Sequence, residues 1–168
     1  PYDGREGETV AKNLEYYLAS WAVAQVAGRL GYKQDSIRFY NLSQNYRKLW
    51  DQRVKCMRAI DSKGNLRPLP QDFNPQFQTG DYTEGNPWQY AFLVPHDVNG
   101  LAELMGGKDS LNAHLDALLN APSDLGDNHN PDISGLIGQY AHGNEPSHHV
   151  LYMYNYVGQP RKTQMRVR

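Results

Sequence analysis

The chain has little cysteine, little net charge and no long apolar run, and each shortage removes a class of protein. One cysteine, Cys56, in 168 residues excludes an internal disulfide framework and leaves the redox compartment undecided. Lys and Arg number 17 against 18 Asp and Glu, so no electrostatic signature of a nucleic-acid partner is present. No apolar stretch approaches the roughly 20 residues a membrane span needs. No signal-peptide pattern is visible, but the chain opens at Pro1 rather than Met, which reads as a processed or excised piece. A glycine-rich phosphate loop, a Gly-x-Ser-x-Gly elbow and a His-Glu-x-x-His pair are all missing. Gly135-Leu136-Ile137-Gly138 is too short to replace any of them.

The length suits one domain with its own core. Tyrosine is plentiful (12) beside three tryptophans. Aromatics with a polar edge suit both helix packing and wet sugar clefts. Thr9 is positioned to cap a helix running to about Leu30. Its apolar face is Leu14, Tyr17, Leu18, Trp21, Ala22, Val26 and Leu30, and Gly31 stops it. A second helix is expected from about Gln34 to Trp50, burying Ile37, Tyr40, Leu42, Tyr46, Leu49 and Trp50. The short join makes the two an antiparallel hairpin. A short β-hairpin is expected over 54–69. It comprises an extended segment at 54–60, the turn Asp61-Ser62-Lys63-Gly64-Asn65, and a return at 66–69 that Pro68 and Pro70 limit to an edge or to nothing. Residues 70–85 show no periodicity, and a loop that long and that aromatic reads as functional.

Helical signals resume at Asn86-Pro87, with a helix expected from Trp88 to Val94. Asp97 caps another through Met105, ended by Gly106-Gly107. Asp109 caps the next, with Leu111, Leu115, Leu118 and Leu119 inward. Residues 121–131 read as a loop, and 133–140 as either a turn or a short helix. Pro146 begins a helix to about Val157, stopped by Gly158, and Pro160 opens one more. No sequence repeat is seen, but helix pairs alternate with long polar loops, as in solenoids, bundles or closed toroids.

Two stretches carry candidate chemistry. In Gly80-Asp81-Tyr82-Thr83-Glu84-Gly85-Asn86-Pro87-Trp88, Glu84 ends the irregular loop just before a helix start. An aromatic wall from Trp88 would raise its pKa and suit a general acid, whereas the helix N-terminus would lower it. An N-terminal capping role for Glu84 or Asp81 fits equally. The second stretch, Gly138-Gln139-Tyr140-Ala141-His142-Gly143-Asn144-Glu145-Pro146-Ser147-His148-His149, packs amide, carboxylate and imidazole groups between a glycine and a proline. Asn144 and Glu145 offer the hard oxygen donors calcium takes. Zinc is disfavoured, because adjacent histidines on a helix diverge by about 100° and no cysteine cluster helps.

Leu14-Glu15-Tyr16, Ser43-Gln44-Asn45-Tyr46-Arg47, Asp81-Tyr82-Thr83-Glu84-Gly85-Asn86, Trp88-Gln89-Tyr90, Val94-Pro95-His96-Asp97-Val98, the stretch from Gly138 to His149, and Lys162-Thr163-Gln164 with Arg166-Val167-Arg168 follow one another along the chain. In these motifs, nearly end to end, the sequence resembles glycoside hydrolase family 92, the calcium-dependent exo-acting α-mannosidases. The resemblance implies a mainly all-α fold, part of an (α/α)6 toroid built from helix hairpins. It implies an inverting mechanism with Glu84 as the general acid. It implies Ca2+ served by Asn144 and Glu145 and gripping two mannose hydroxyls, with Tyr82, Trp88 and His142 lining the sugar site. The implied partners are α-mannoside glycans, such as N-glycan mannose, in a secreted, periplasmic or cell-surface setting.

Departures from the family pattern qualify this. The family's base aspartate lies in a motif downstream of the match to Arg166-Val167-Arg168, and its N-terminal β-sandwich precedes the match. The expectation is therefore that residues 1–168 are a fragment of one catalytic domain, inactive without those N- and C-terminal regions. Members cutting α-1,2 bonds carry an acid where this chain has Gly143. Two other readings stay open: a calcium-independent glycosidase or lyase on the same toroid, and a non-catalytic carbohydrate-binding helical module.

Overall fold

The computed structural model describes residues 7–77, 79–127 and 129–168. Helix α1 spans Thr9–Arg29 and α2 spans Lys33–Ser43, joined by a turn in which Gly31 takes φ 84°. Thr9 is not the cap. It lies inside the helix, fully buried, and its hydroxyl donates to Asp81 Oδ1 at 2.8 Å. Glu8 occupies the cap position with no side-chain bond. The first amides of α1 are satisfied instead by the loop before Glu84: Glu8 N–H donates to Gly80 O and Val10 N–H to Asp81 O. The start of α1 is thereby fastened against that loop.

The second helix is shorter than expected. After Ser43 the chain tightens into a 3₁₀ segment, Gln44–Leu49, and Trp50 opens a strand. Tyr46, Leu49 and Trp50 are buried as expected, but Ile37, Tyr40 and Leu42 are exposed, as are Val26 of α1 and Leu30 just after it. The reason is the contact between the two helices. Small residues make it: Ala24 and Ala27 are buried, and a Cβ on Gly28 would meet Ser36 Oγ at 3.1 Å. The larger apolar side chains lie off this contact face.

Strands β1 (Trp50–Asp51) and β2 (Cys56–Met57) pair antiparallel, with Trp50 opposite Met57. The expected hairpin over 54–69 is displaced: its first half belongs to this earlier pair, and its second half survives as one bridge, Ile60 to Leu66, around the Asp61 turn. Arg58 explains the shift. Its buried guanidinium reaches back to Asp51 Oδ2 at 2.6 Å and forward to the carbonyls of Arg67 and Pro68, leaving those carbonyls no ladder role. The described residues of 70–85 are irregular, as expected.

Helix α3 is one turn, Pro87–Tyr90, rather than a run to Val94. Helix α4 (Val98–Met105) is capped by Asp97 Oδ1 from Gly100 N–H and stopped by Gly106, as expected. Helix α5 (Lys108–Asn120) starts at Gly107, with Asp109 in the first turn and not the cap. Its four expected leucines are buried. Of the two readings for residues 133–140 the turn is found and the helix is not: Gly138-Gln139 turns the chain between β3 (Leu136–Ile137) and β4 (Tyr140–Ala141), which pair antiparallel. The expected helix from Pro146 is two 3₁₀ segments, Glu145–Ser147 and Val150–Asn155, followed by α6 (Pro160–Arg166). The main core has Leu14, Tyr46, Met57, Phe92, Leu101, Leu115 and Tyr154 nearly or fully buried at its centre, and a smaller cluster of Leu125, Ile133 and Ala141 lies apart from it. No described helix is long and apolar enough to cross a membrane.

Candidate active site

Glu84 sits where the long loop meets α3, and its backbone is left-handed, φ 44°. The surroundings force that conformation. The Tyr90 hydroxyl donates to the Thr83 carbonyl at 2.7 Å, fixing the chain before Glu84. After it, Gly85 presses on the same ring: a Cβ there would lie 2.7 Å from Tyr90 Cε2. Asn86 then caps α3 in a reciprocal box with Gln89. The chain must reverse between two fixed points, and Glu84 is the residue in between. A non-glycine residue in this region is held against a cost of about 1–2 kcal/mol.

The facing wall comes from the segment after β4. Asn144 is buried, and its Nδ2 donates to the Glu84 carbonyl at 2.7 Å. Glu145, exposed, begins the next 3₁₀ turn. Glu84, Asn144 and Glu145 line one cleft of about 290 Å³, together with Tyr90 and with Glu15 and Tyr16 of α1. Glu15 is the residue to which sequence reasoning assigned no role. The available signal was its place in Leu14-Glu15-Tyr16, and the fastening of α1 to the 80–81 loop is what carries it there. The Tyr90 phenol is held above its ordinary pKa, first by burial and next by the negative charge of Glu15, with Glu8 and Glu84 adding to it. Carboxylates thus converge on this cleft from both sides.

The other expected site residues lie elsewhere. Tyr82 is a core residue: its hydroxyl donates to Met57 O at 2.6 Å and its ring packs on Tyr90. Trp88 is partly buried against the main core and does not line the cleft. His142 lines a separate cavity of about 680 Å³ with Tyr140, His148, Tyr152 and Arg166. There its Nδ1 meets the Tyr140 hydroxyl at 2.8 Å, and its carbonyl meets His148 Nε2 at 3.0 Å. His149 turns away to the Phe92 carbonyl at 2.7 Å, and burial holds its pKa down.

The donors in the cleft fit part of a calcium shell. Asn144 spends its amide nitrogen on Glu84, which presents its oxygen as the remaining donor atom, and Glu145 adds a carboxylate. Calcium takes six to eight oxygens. Among the described residues no three His, Cys, Asp or Glu converge as a metal group. The donor chemistry suits a hard cation, and the donor count is that of one wall of a site.

The comparisons with known proteins follow the same line. The model of the glycosyl hydrolase family 92 catalytic domain matches residues 1–168. A family GH92 α-mannosidase of Bacteroides thetaiotaomicron, solved in complex with mannoimidazole, superposes with a TM-score of 0.86 at 39% identity. The match covers 99% of this chain and 22% of that one. A family GH92 inverting mannosidase of Bacteroides thetaiotaomicron VPI-5482 gives 0.81 at 36% identity, covering 98% and 23%. An uncharacterized secreted glycosidase of Arthroderma benhamiae is 34% identical over 77 residues, 46% of this chain and 8% of its own length. The chain therefore spans about a fifth of the solved structures it resembles.

Proposed function

The chain belongs to the glycosyl hydrolase family 92 catalytic domain, its helix pairs forming part of an (α/α)6 toroid, and from that membership we propose that the protein containing it is an inverting, calcium-dependent exo-α-mannosidase. The observation that carries the reading is the shared cleft: Glu84 on one wall, Asn144 and Glu145 on the other, joined by the 2.7 Å bond from Asn144 Nδ2 to the Glu84 carbonyl.

In this reading the Glu84 carboxyl gives its proton to the glycosidic oxygen as the bond to the anomeric carbon breaks. Water enters at that carbon from the opposite face and yields its proton to a second carboxylate, standing about 6.5–9.5 Å from the acid so that the water fits between. That base comes from outside this chain, so residues 1–168 alone turn over no substrate. Asn144 and Glu145 hold calcium, which when bound supplies a fixed positive charge for the sugar hydroxyls. His142 contributes to the sugar site from the cavity it lines. Tyr82 and Trp88 support the cleft from behind rather than touch substrate.

Gly143 supports a linkage other than α-1,2. It packs so closely on Ser134 that a Cβ would overlap the Ser134 hydroxyl, and the acid of α-1,2 enzymes has no counterpart here. The substrates are α-mannoside glycans, including those of N-glycans. The likeness to a secreted glycosidase supports an extracellular, periplasmic or cell-surface location.

The test is release of mannose from α-linked mannobioses by the full-length protein, with and without a calcium chelator. Release that chelation abolishes and calcium restores is the expected result, and the mannobiose preferred reads out the role of Gly143. Release indifferent to chelation would remove Asn144 and Glu145 from the metal and favour the calcium-free glycosidase. A folded protein that binds mannosides without cleaving any would favour the binding module.

A further inference from the structure

Three buried amides lie behind the cleft: Asn86 at 0% exposure, Gln89 at 4% and Gln139 at 0%. Every side-chain amide nitrogen and oxygen of the three has a hydrogen-bond partner. Gln139 Nε2 donates to Pro122 O at 2.6 Å and Asp124 O at 2.9 Å, and its Oε1 accepts from Asn86 Nδ2 at 2.7 Å. Asn86 Nδ2 sends its second proton to Gln76 O at 2.9 Å, while its Oδ1 accepts from Gln89 N–H at 3.1 Å. Gln89 Nε2 donates to Gln139 O at 3.1 Å, and its Oε1 accepts from Asn86 N–H at 3.0 Å. Rotating the Gln139 amide by half a turn would face its oxygen with two carbonyl oxygens, so the orientation is fixed.

The three amides join the two segments that make the cleft. Glu84 is two residues before Asn86, and Asn144 is five after Gln139. The Asn144 bond to the Glu84 carbonyl closes the far end, so segments 84–89 and 139–144 are laced at both ends. The Gln139 segment is itself seated on α5, through Gln139 N–H to Leu118 O at 2.8 Å. We infer that Gln139 is a positioning residue: with Asn86 and Gln89 it sets the place of the Glu84 carboxyl relative to the Asn144–Glu145 wall.

This rests on the reading of Glu84 as the acid, and the experiment separates the two. Protonation of the leaving group matters for a mannobiose and little for an aryl α-mannoside whose leaving group is a stable dinitrophenolate. In the full-length protein, Gln139→Met keeps the side-chain volume and removes the amide. A misplaced acid lowers kcat on the mannobiose by about 10²-fold, with much less loss on the aryl mannoside and little change in KM. Assays use protein of matched folded fraction. Equal loss on both substrates, or none, would overturn the inference, since a merely structural role lowers the two together. Glu84→Gln is measured alongside. If it shows no leaving-group selectivity, the acid reading fails. If it is selective and Gln139→Met is not, the positioning role alone fails. Should Gln139→Met not fold, Gln89→Met removes one bond to the Gln139 carbonyl and one to the Asn86 amide, and carries the same comparison with the same outcomes.

Discussion

Replacing Glu84 by glycine should stabilise the protein while destroying its activity. Glu84 is one of three described non-glycine residues with positive φ, at 44°, beside Glu8 at 61° and Lys55 at 54°. Left-handed backbone costs an L-residue about 1–2 kcal/mol. Glycine removes that cost but loses about 0.5–1 kcal/mol more in chain entropy on folding. The net expectation for Glu84→Gly is a gain of about 0.5–1 kcal/mol. Glu84→Gln keeps the Cβ and with it the strain, so the difference between the two variants isolates the backbone effect. Lys55, exposed in the turn between β1 and β2, is the control. Lys55→Gly should gain a similar amount and keep full activity. The assay is urea unfolding of the full-length variants, compared through their midpoints at a common slope, with mannose release measured on the same samples. Glu84→Gly should lose about 10²–10⁴-fold in kcat, as expected for loss of a general acid. A Glu84→Gly midpoint equal to or below that of Glu84→Gln would refute the claim that Glu84 is held in a strained conformation.

Other outcomes follow from the same geometry. Gly138 has φ 61°, and a Cβ there would overlap the Leu118 carbonyl oxygen, so Gly138→Ala should cost about 3 kcal/mol. Gly64 has φ 83° with open space around it, so Gly64→Ala should cost about 1 kcal/mol, and equal costs would show that the close approach to α5 is not tight. His96 has a buried Nδ1 with no hydrogen-bond partner among the described residues, and burial holds its pKa below 6.5. His149 is depressed for the same first cause. The unfolded chain therefore binds more protons, and the stability from neutral imidazole is present above about pH 6.5 and lost as pH falls through the folded values. A melting temperature that drops as pH falls below about 6.5, less steeply in His96→Gln, is expected; identical slopes would remove His96 as a cause. Asp51 and Arg58 form a buried pair at 2.6 Å, and Arg53 also holds the Asp51 carboxyl ionised below the usual range. Arg58→Met should cost about 3 kcal/mol or more in a urea titration, and a loss under 1 kcal/mol would mean that Arg53 suffices to hold Asp51.

Elements whose cause is local were legible in the sequence. The Asn86-Pro87 start, the Asp97 cap, the Gly31 and Gly106 stops and the Asp61 turn depend on bonds within a few residues, and all are found. The leucines of α5 kept the face their spacing gave them. The misses share a different cause. Thr9 left its capping role because the loop at 80–81 supplied backbone acceptors to α1. The hairpin at 54–69 moved because Arg58 recruits Asp51 and two later carbonyls. The outer faces of α1 and α2 stayed exposed because alanines and glycine made the helix contact.

The candidate site divides in the same way. Glu84, Asn144 and Glu145 stand out in the sequence as candidates, because a carboxylate before a helix start and oxygen donors in a Gly/Pro-shaped loop are properties of short stretches, and the structure brings the three to one cleft. Tyr82 shows the limit: an aromatic two residues before Glu84 reads as a sugar contact, yet the Met57 carbonyl claims its hydroxyl inside the core. The sequence by itself determined the residue types, the turn and cap chemistry and the family. Which residues share a cleft was decided only by the tertiary structure. Residues 15, 84 and 144 are far apart in the chain, and bonds between segments bring them together: the start of α1 to the 80–81 loop, and the amides of Asn86, Gln89 and Gln139 across the site. A polar side chain advertises its chemistry locally, whereas its partner is set by whichever buried donor or acceptor would otherwise go unmatched.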